Sequence, residues 1–183
     1  MIVGITGTDG AGKGTVVDYL VNEKGFAHYH ARTLIIEEIE KRGLEVNRSN
    51  MRIVANDLRR EHGNDYIVSF FLERSKKTGD KKVVIDSLRA VAEAETLKKA
   101  GGTLVAVDAD QEIRFERVQA RRSESDKVSF EEFARHEALE MNDPDPHGMQ
   151  KAKVIEMADY TILNNGTFED VYMQVEAILK KLN

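Results

Sequence analysis

The opening segment limits the possible folds more than any other part of this chain. A short apolar run, Met1 to Thr6, breaks into glycines at 7, 10, 12 and 14 and continues as Thr15-Val-Val-Asp-Tyr-Leu-Val. That order reads as a buried strand, a glycine loop and a helix. Within it, Gly7-Thr-Asp-Gly-Ala-Gly-Lys13-Gly-Thr15 fits the spacing GxxxxGK. Glycines let the backbone curl so that several N–H groups converge on one anion. The helix that starts there adds the positive end of its dipole. Lys13 supplies a mobile point charge for the distal phosphates. The expected role of the segment is to hold a phosphate chain.

The same alternation continues along the chain. Strand-like runs are expected at Phe26 to His30, Lys82 to Asp86, Thr103 to Val107 and Tyr160 to Leu163. Helical runs are expected at Thr33 to Arg42, Ser49 to Glu61, Ala90 to Ala100, Gln111 to Arg122 (with Asp110 as N-cap) and Phe168 to Leu182. Strands alternating with helices imply parallel βαβ units and a sheet covered on both faces. Residues 1–183 are expected to form one domain, with no repeat, low-complexity tract or linker. Both prolines fall in Asn142-Asp-Pro-Asp-Pro-His-Gly148, which reads as an exposed loop tip or a mobile lid element.

Composition excludes several classes. The chain has no cysteine, so disulfide scaffolds, thiolate zinc sites and cysteine nucleophiles are out. Its 27 Lys+Arg against 32 Asp+Glu give a net charge of -5, which argues against a dedicated nucleic-acid binder. No apolar run approaches the ~18 residues of a membrane span. No basic segment leads into a hydrophobic one at the N-terminus, so no signal peptide and a cytoplasmic location are expected.

In an open parallel sheet, ligands bind beyond the carboxyl ends of the strands. Asp86, at such an end, is placed to orient a Mg²⁺-bound water, and Arg89 to clamp a phosphate. His28 and His30 alternate on the second strand and could face an acceptor. Without a third ligand they read as strand-face residues rather than a metal site. Arg48, Arg52 and Arg59 fall within roughly 40° of one another on a helix, bordering Met51, Val54, Ala55 and Leu58. They read either as a phosphate-receiving stripe or as a solvated face. Arg114, Arg117 and Arg121 lie within roughly 60°, with Arg122 adjoining. Such a cluster repels itself unless an anion is present.

These motifs resemble those of known families. The GKGT form of the loop, with Gly14 where many such loops carry Ser or Thr, resembles adenylate kinases and related nucleoside monophosphate kinases. Asp9-Gly-Ala-Gly-Lys13 resembles the DGAGK of thymidylate kinases, in which the acid meets the acceptor's sugar hydroxyl. Asp86-Ser-Leu-Arg89 is similar to the DGFPR of adenylate kinases, one residue shorter. Ala158-Asp through Asn164-Asn-Gly166 resembles the ADxxxxNxG of dephospho-CoA kinases, whose loop backbone lies against adenine. The chain is therefore identified as a member of the P-loop nucleoside monophosphate kinase superfamily, similar to adenylate-kinase-related and dephospho-CoA-kinase-like proteins. One departure is Ile36, which stands where relatives carry an arginine before Glu37-Glu38. Either a phosphate contact is lost there, or Arg32 replaces it from the preceding turn.

The resemblance implies an α/β/α P-loop fold with a five-stranded parallel sheet in the order 2-3-1-4-5. It also implies an acceptor region near residues 31–75 and a helical lid near 114–150. ATP would lie on Thr8, Asp9, Gly10, Ala11, Gly12, Lys13, Gly14 and Thr15, with Arg117, Asn165 and Gly166. The acceptor would meet Asp9, Arg32, Arg52 and Arg89. Mg²⁺ would sit near Thr15 and Asp86, through water. Lys13, Asp9, Asp86, Arg117 and Arg121 would carry the chemistry. The reaction implied is phosphoryl transfer from ATP to a (deoxy)nucleoside monophosphate. A kinase acting on a hydroxyl, with Asp9 or Asp86 as base, is the alternative. A non-catalytic nucleotide-binding module is a third reading. The expected partner is a small nucleotide acceptor, without nucleic acid or membrane, in a monomer or homodimer.

Overall fold

β1 (Ile2–Gly7) is the central strand of a five-stranded sheet, buried along almost its whole length. A computed structural model describes residues 1–120 and 129–182. The strand order is β2-β3-β1-β4-β5, with β2 at Ala27–His30, β3 at Val83–Asp86, β4 at Thr103–Asp108 and β5 at Tyr160–Leu163, and every pairing is parallel. This is the expected P-loop kinase topology. β1 pairs on both sides, with Gly4 opposite both Ile85 and Leu104. Its continuous apolar character follows from burial on both faces.

The period-2 alternation of the strands divides the core between those faces. Val3, Ile5, Val84, Val105, Val107 and Ile162 pack on α1 (Lys13–Asn22) and α9 (Phe168–Leu182). Val83, Ile85 and Leu104 face the other way. They meet α2 (Ala31–Lys41), α3 (Arg48–His62), α4 (Tyr66–Thr78), α5 (Val91–Lys99) and α8 (Lys151–Glu156). Gly4 is small for a packing reason, since a Cβ there would lie 2.3 Å from Leu97 Cδ2.

α6 (Gln111–Ala120) and α7 (Phe130–Met141) complete the described helices. α4 and α8 stand where the sequence reading assigns no element, and α7 lies within the helical lid region that the resemblance implies. α4 is dense in Ile67, Val68, Phe71 and Leu72, all buried, so its amphipathic stripe is blurred by its own apolar content. α7 is set by a capping box, Ser129 with Glu132. Asp110 directly precedes α6, its carbonyl accepting the Arg114 N–H at 3.0 Å, while its carboxylate accepts from Asn165 Nδ2 at 3.0 Å and ties the β4–α6 turn to the β5–α9 turn.

The Asn142–Gly148 loop is not a free tip. Asp143 is buried, and the loop straps onto α3. Arg52 reaches Asp143 at 3.1 Å, Asn56 Nδ2 donates to Asp145 at 3.1 Å, and Asn64 pairs with the His147 ring at 2.7 Å. Its prolines stiffen a strap that side chains then hold.

Candidate active site

The phosphate loop joins β1 to α1. Gly10 and Gly12 take φ of +81° and +89°, values that a side chain strains to reach. Neighbours also crowd both positions. A Cβ on Gly10 would lie 2.4 Å from the Arg114 carbonyl oxygen, and one on Gly12 2.1 Å from Asn164 Nδ2. The buried Asn164 donates to the Ala11 carbonyl at 2.8 Å, so the β5 end holds the loop's crest. Thr8 donates from Oγ1 to Asp108 at 2.7 Å, which fixes the other side against β4. Gly14 is open, with nothing within 4 Å of a built Cβ.

Lys13 Nζ folds back across the loop. It donates to the Thr8 carbonyl at 2.7 Å and the Gly7 carbonyl at 3.2 Å. A cation resting on carbonyls in the hollow of a glycine loop is poised to exchange those weak acceptors for phosphate oxygens. Thr15 starts the first turn behind it, its N–H on the Gly12 carbonyl at 3.0 Å.

Asp9 finds its counter-charge in a residue that sequence reading missed. Lys151, at the start of α8 and only 1% exposed, places Nζ 3.2 Å from Asp9 Oδ1 and 2.8 Å from Glu140 Oε2. Arg89 Nη1 lies 3.9 Å from Glu140, and Lys13 Nζ 3.9 Å from Asp9. Burial alone would raise the Asp9 pKa. The charges of Lys151, Arg89 and Lys13 outweigh it and hold the carboxyl well below the usual carboxylate range. Burial and Asp9 itself push Glu140 up, yet Lys151 and Arg89 bring it below its ordinary value. The one available signal was the loop acid's need for a partner, and no spacing rule names a lysine 142 residues away.

The arginines separate into different roles. Arg114 is buried and pairs with Glu137, while its Nε donates to Ala109 O at 2.8 Å and its Nη1 to Asp9 O at 3.3 Å. It is a brace for the loop backbone, not a lid residue. Arg117 reaches the Asn164 carbonyl at 2.9 Å, beside Asn165 and Gly166, as the sequence places it. Arg121, with Arg122, lies outside the described residues, as does the Arg48 side chain. Arg59 is 3% exposed and bonds Glu93 with both Nε and Nη2 at 3.0 and 2.9 Å, so it belongs to the core rather than to a phosphate stripe. Glu93 in turn accepts the Arg89 N–H at 2.8 Å, which fixes the backbone of the turn after β3. Arg52 remains half exposed on α3, and Arg32 is exposed in the first turn of α2.

Asp86 ends β3 as expected, but its neighbours are imidazoles. His28 Nε2 lies 3.1 Å from Oδ2 and His30 Nε2 3.6 Å from Oδ1. The third ligand that the histidine pair lacks in the sequence is therefore present in space. Burial pushes the His30 pKa down, against the pull of Asp86. The next residue, Ser87, takes φ +65°, a strained reversal that turns the chain sharply away from the strand end.

The AAA domain family matches residues 3–143 of this chain. A UPF0200 protein of Thermococcus kodakarensis is 32% identical over 188 residues, covering 100% of this chain and 98% of the relative. The chain belongs to the UPF0200 family. A second UPF0200 protein, from Hyperthermus butylicus, is 28% identical and covers 100% of this chain and 95% of its own. A UPF0200/UPF0201 protein of Archaeoglobus fulgidus is 33% identical across 99% of this chain, which spans only 55% of that relative's length. Among solved structures, TT1252 from Thermus thermophilus superposes with a TM-score of 0.62 at 22% identity, covering 100% of this chain and 98% of that one. Shikimate kinase from Aquifex aeolicus superposes at 0.57 with 20% identity, over 100% and 96%. This UPF0200 chain thus carries the fold of small P-loop kinases. Among its described residues no helix is long and apolar enough to cross a membrane.

Proposed function

We propose that the protein transfers the terminal phosphoryl group of ATP to a (deoxy)nucleoside monophosphate in the cytoplasm. The observation that carries this reading is Lys13, resting on the Gly7 and Thr8 carbonyls inside a loop locked by Asn164 and Arg114. Phosphoryl transfer is mostly positioning and charge neutralisation. Lys13 and the loop amides would hold the β- and γ-phosphates, with Arg117 beside the Asn164–Gly166 turn. Arg89, next to the Asp9–Glu140–Lys151 cluster, would face the acceptor phosphate, with Arg52 and Arg32 on the helices beyond. An acceptor phosphate has a second pKa of about 6, so at neutral pH it needs no base. Asp9, held ionised by three cations, suits the sugar hydroxyl as a hydrogen-bond acceptor.

Oxygen donors at this cleft fit Mg²⁺. The Thr15 hydroxyl lies in the first turn of α1, and Asp86 Oδ1 is a buried acceptor without a hydrogen-bond partner. Mg²⁺ would supply charge neutralisation on the phosphate oxygens.

The same Asp86 oxygen supports a second reading, in which Asp86 accepts the proton of an alcohol acceptor. Shikimate kinases, named for an alcohol substrate, share this fold. Incubation with ATP, Mg²⁺ and panels of monophosphates and alcohols separates the readings. Asp9→Asn should raise the acceptor KM for a monophosphate, with turnover little changed. Loss of turnover by ~10²-fold in Asp86→Asn, with an alcohol as the active acceptor, would select the second. No ADP above background with any acceptor would leave a nucleotide-binding module without turnover.

A further inference from the structure

At the C-terminal edge of β2 and β3 the fold gathers three metal-ligating side chains that the phosphate loop does not use. Residues i and i+2 of a strand share a face, so His28 and His30 project on the same side of β2. The β2–β3 register sets His30 opposite Asp86. The three donor atoms lie within 4.8 Å of one another. The imidazoles stack with centroids 5.4 Å apart and planes 20° apart, and each offers Nε2 to a different oxygen of one carboxylate.

Asp86 supplies an independent observation. Its side chain is nine-tenths buried. Oδ1 is shielded from solvent and has no hydrogen-bond partner. His30 Nε2, at 3.6 Å, stands beyond hydrogen-bond reach. A buried anionic oxygen left this way is costly.

We propose that His28, His30 and Asp86 form a binding site for one borderline divalent transition-metal ion of the Zn²⁺ class. Two imidazoles and a carboxylate suit Zn²⁺, Co²⁺ or Fe²⁺, whereas Mg²⁺ prefers oxygen ligands alone. Ligand bonds of about 2.0–2.1 Å put tetrahedral ligand atoms about 3.4 Å apart. The His–Asp separations of 3.1 Å to Oδ2 and 3.6 Å to Oδ1 are near that spacing, and with one donor atom of each residue within 4.8 Å of the others, side-chain rotations would bring the set onto one ion. Three protein ligands leave a position for water or a ligand oxygen, on the side that His28 exposes. An ion here ligates Asp86 directly and leaves a nucleotide's Mg²⁺ to Thr15, phosphate oxygens and water. The proposal does not depend on phosphoryl transfer.

The test uses the full chain, stripped with chelator and titrated with ZnSO₄ and CoCl₂. One equivalent of Zn²⁺ should remain after desalting, and Co²⁺ should give the visible absorption bands of a low-symmetry site. His28→Ala and His30→Ala should each weaken Zn²⁺ binding by at least about tenfold, the scale at which even groups behind the ligands act. Their melting temperatures in chelator, compared with the parent's, report folding separately. Lys13→Ala should lose ATP affinity and still bind Zn²⁺, so failure of nucleotide binding leaves this site untouched. Less than a tenth of an equivalent bound by the parent chain, or folded histidine variants that retain the parent's affinity, overturns the proposal.

Discussion

Lys151 reaches from the first residue of α8 to the phosphate loop, with Nζ 3.2 Å from Asp9 Oδ1 and 2.8 Å from Glu140 Oε2. One buried cation thus joins three pieces of chain that meet nowhere else in sequence: the loop, the end of α7 and the start of α8. Its removal leaves two carboxylates close together with less counter-charge. Breaking a buried ion pair by deleting one partner costs about 3–5 kcal/mol. Lys151→Met keeps the stem's volume and should lower the melting temperature by roughly 6–12 °C for about 3 kcal/mol in a chain of this size. A melt within 2 °C of the parent would remove Lys151 as the organiser of the cluster.

Acid should act through the same cluster. Asp9 and Glu140 both have folded pKa values below their ordinary 3.8 and 4.5. Between folded and unfolded values the unfolded chain binds more protons, so stability rises with pH through that window and is fully present above it. Melting temperature should therefore be insensitive to these groups above about pH 5 and fall as the pH drops below 4.5. In Lys151→Met the carboxylates lose their main cation and their pKa values rise. The acid-side loss attributable to these groups should then be smaller and end at a higher pH than in the parent. Melts across pH 3 to 7 on both chains test this, and coincident profiles would sink it.

What the sequence made legible follows local chemistry. The glycine spacing, the β-branched run before it and the apolar strands required only neighbours in sequence, whereas the sheet order came with the family resemblance. The place of Arg117 after the fourth strand was likewise readable, while its bond to the Asn164 carbonyl was not. The misread residues are those whose role depends on a distant partner. Arg59 and Arg52 share a helix face within two turns, yet Glu93 on α5 draws Arg59 into the core. Arg114 looks like its neighbour Arg117 until Glu137 on α7 buries it. Asp86 meets His28 and His30 across two strands, a juxtaposition that spacing along the chain does not show. Lys151 is one of 27 Lys and Arg, and pairing alone selects it.

The loop crest offers a separable test of backbone and side-chain effects. Gly12→Ala adds the cost of a side chain at φ +89°, about 1–2 kcal/mol, and drives a Cβ into Asn164 Nδ2. Asn164→Ala instead leaves the Ala11 carbonyl without its donor, costing about 1–3 kcal/mol. The clash vanishes in the double variant while the backbone strain remains. The two destabilisations should then sum to more than the double variant shows, by 0.5 kcal/mol or more on the scale of contacting residues. Chemical denaturation of the four chains measures it. Strict additivity would mean that Asn164 does not pack on Gly12.

Arg52 and Arg59 should part company in stability and catalysis. Arg59 sits in a buried pair with Glu93, so Arg59→Met strands a buried carboxylate and should cost about 3–5 kcal/mol. Arg52 is half exposed, and its pair with Asp143 is worth less than about 1 kcal/mol. Arg52→Ala should thus melt within a few degrees of the parent. If Arg52 meets the acceptor phosphate, losing a charged hydrogen bond of about 1.5–3 kcal/mol should raise the acceptor KM by roughly 10- to 100-fold. Steady-state kinetics with the best monophosphate, beside thermal melts of both variants, decides the matter. An unchanged acceptor KM in a well-folded Arg52→Ala chain would confine Arg52 to holding the Asn142–Gly148 strap and leave acceptor recognition to Arg32 and Arg89.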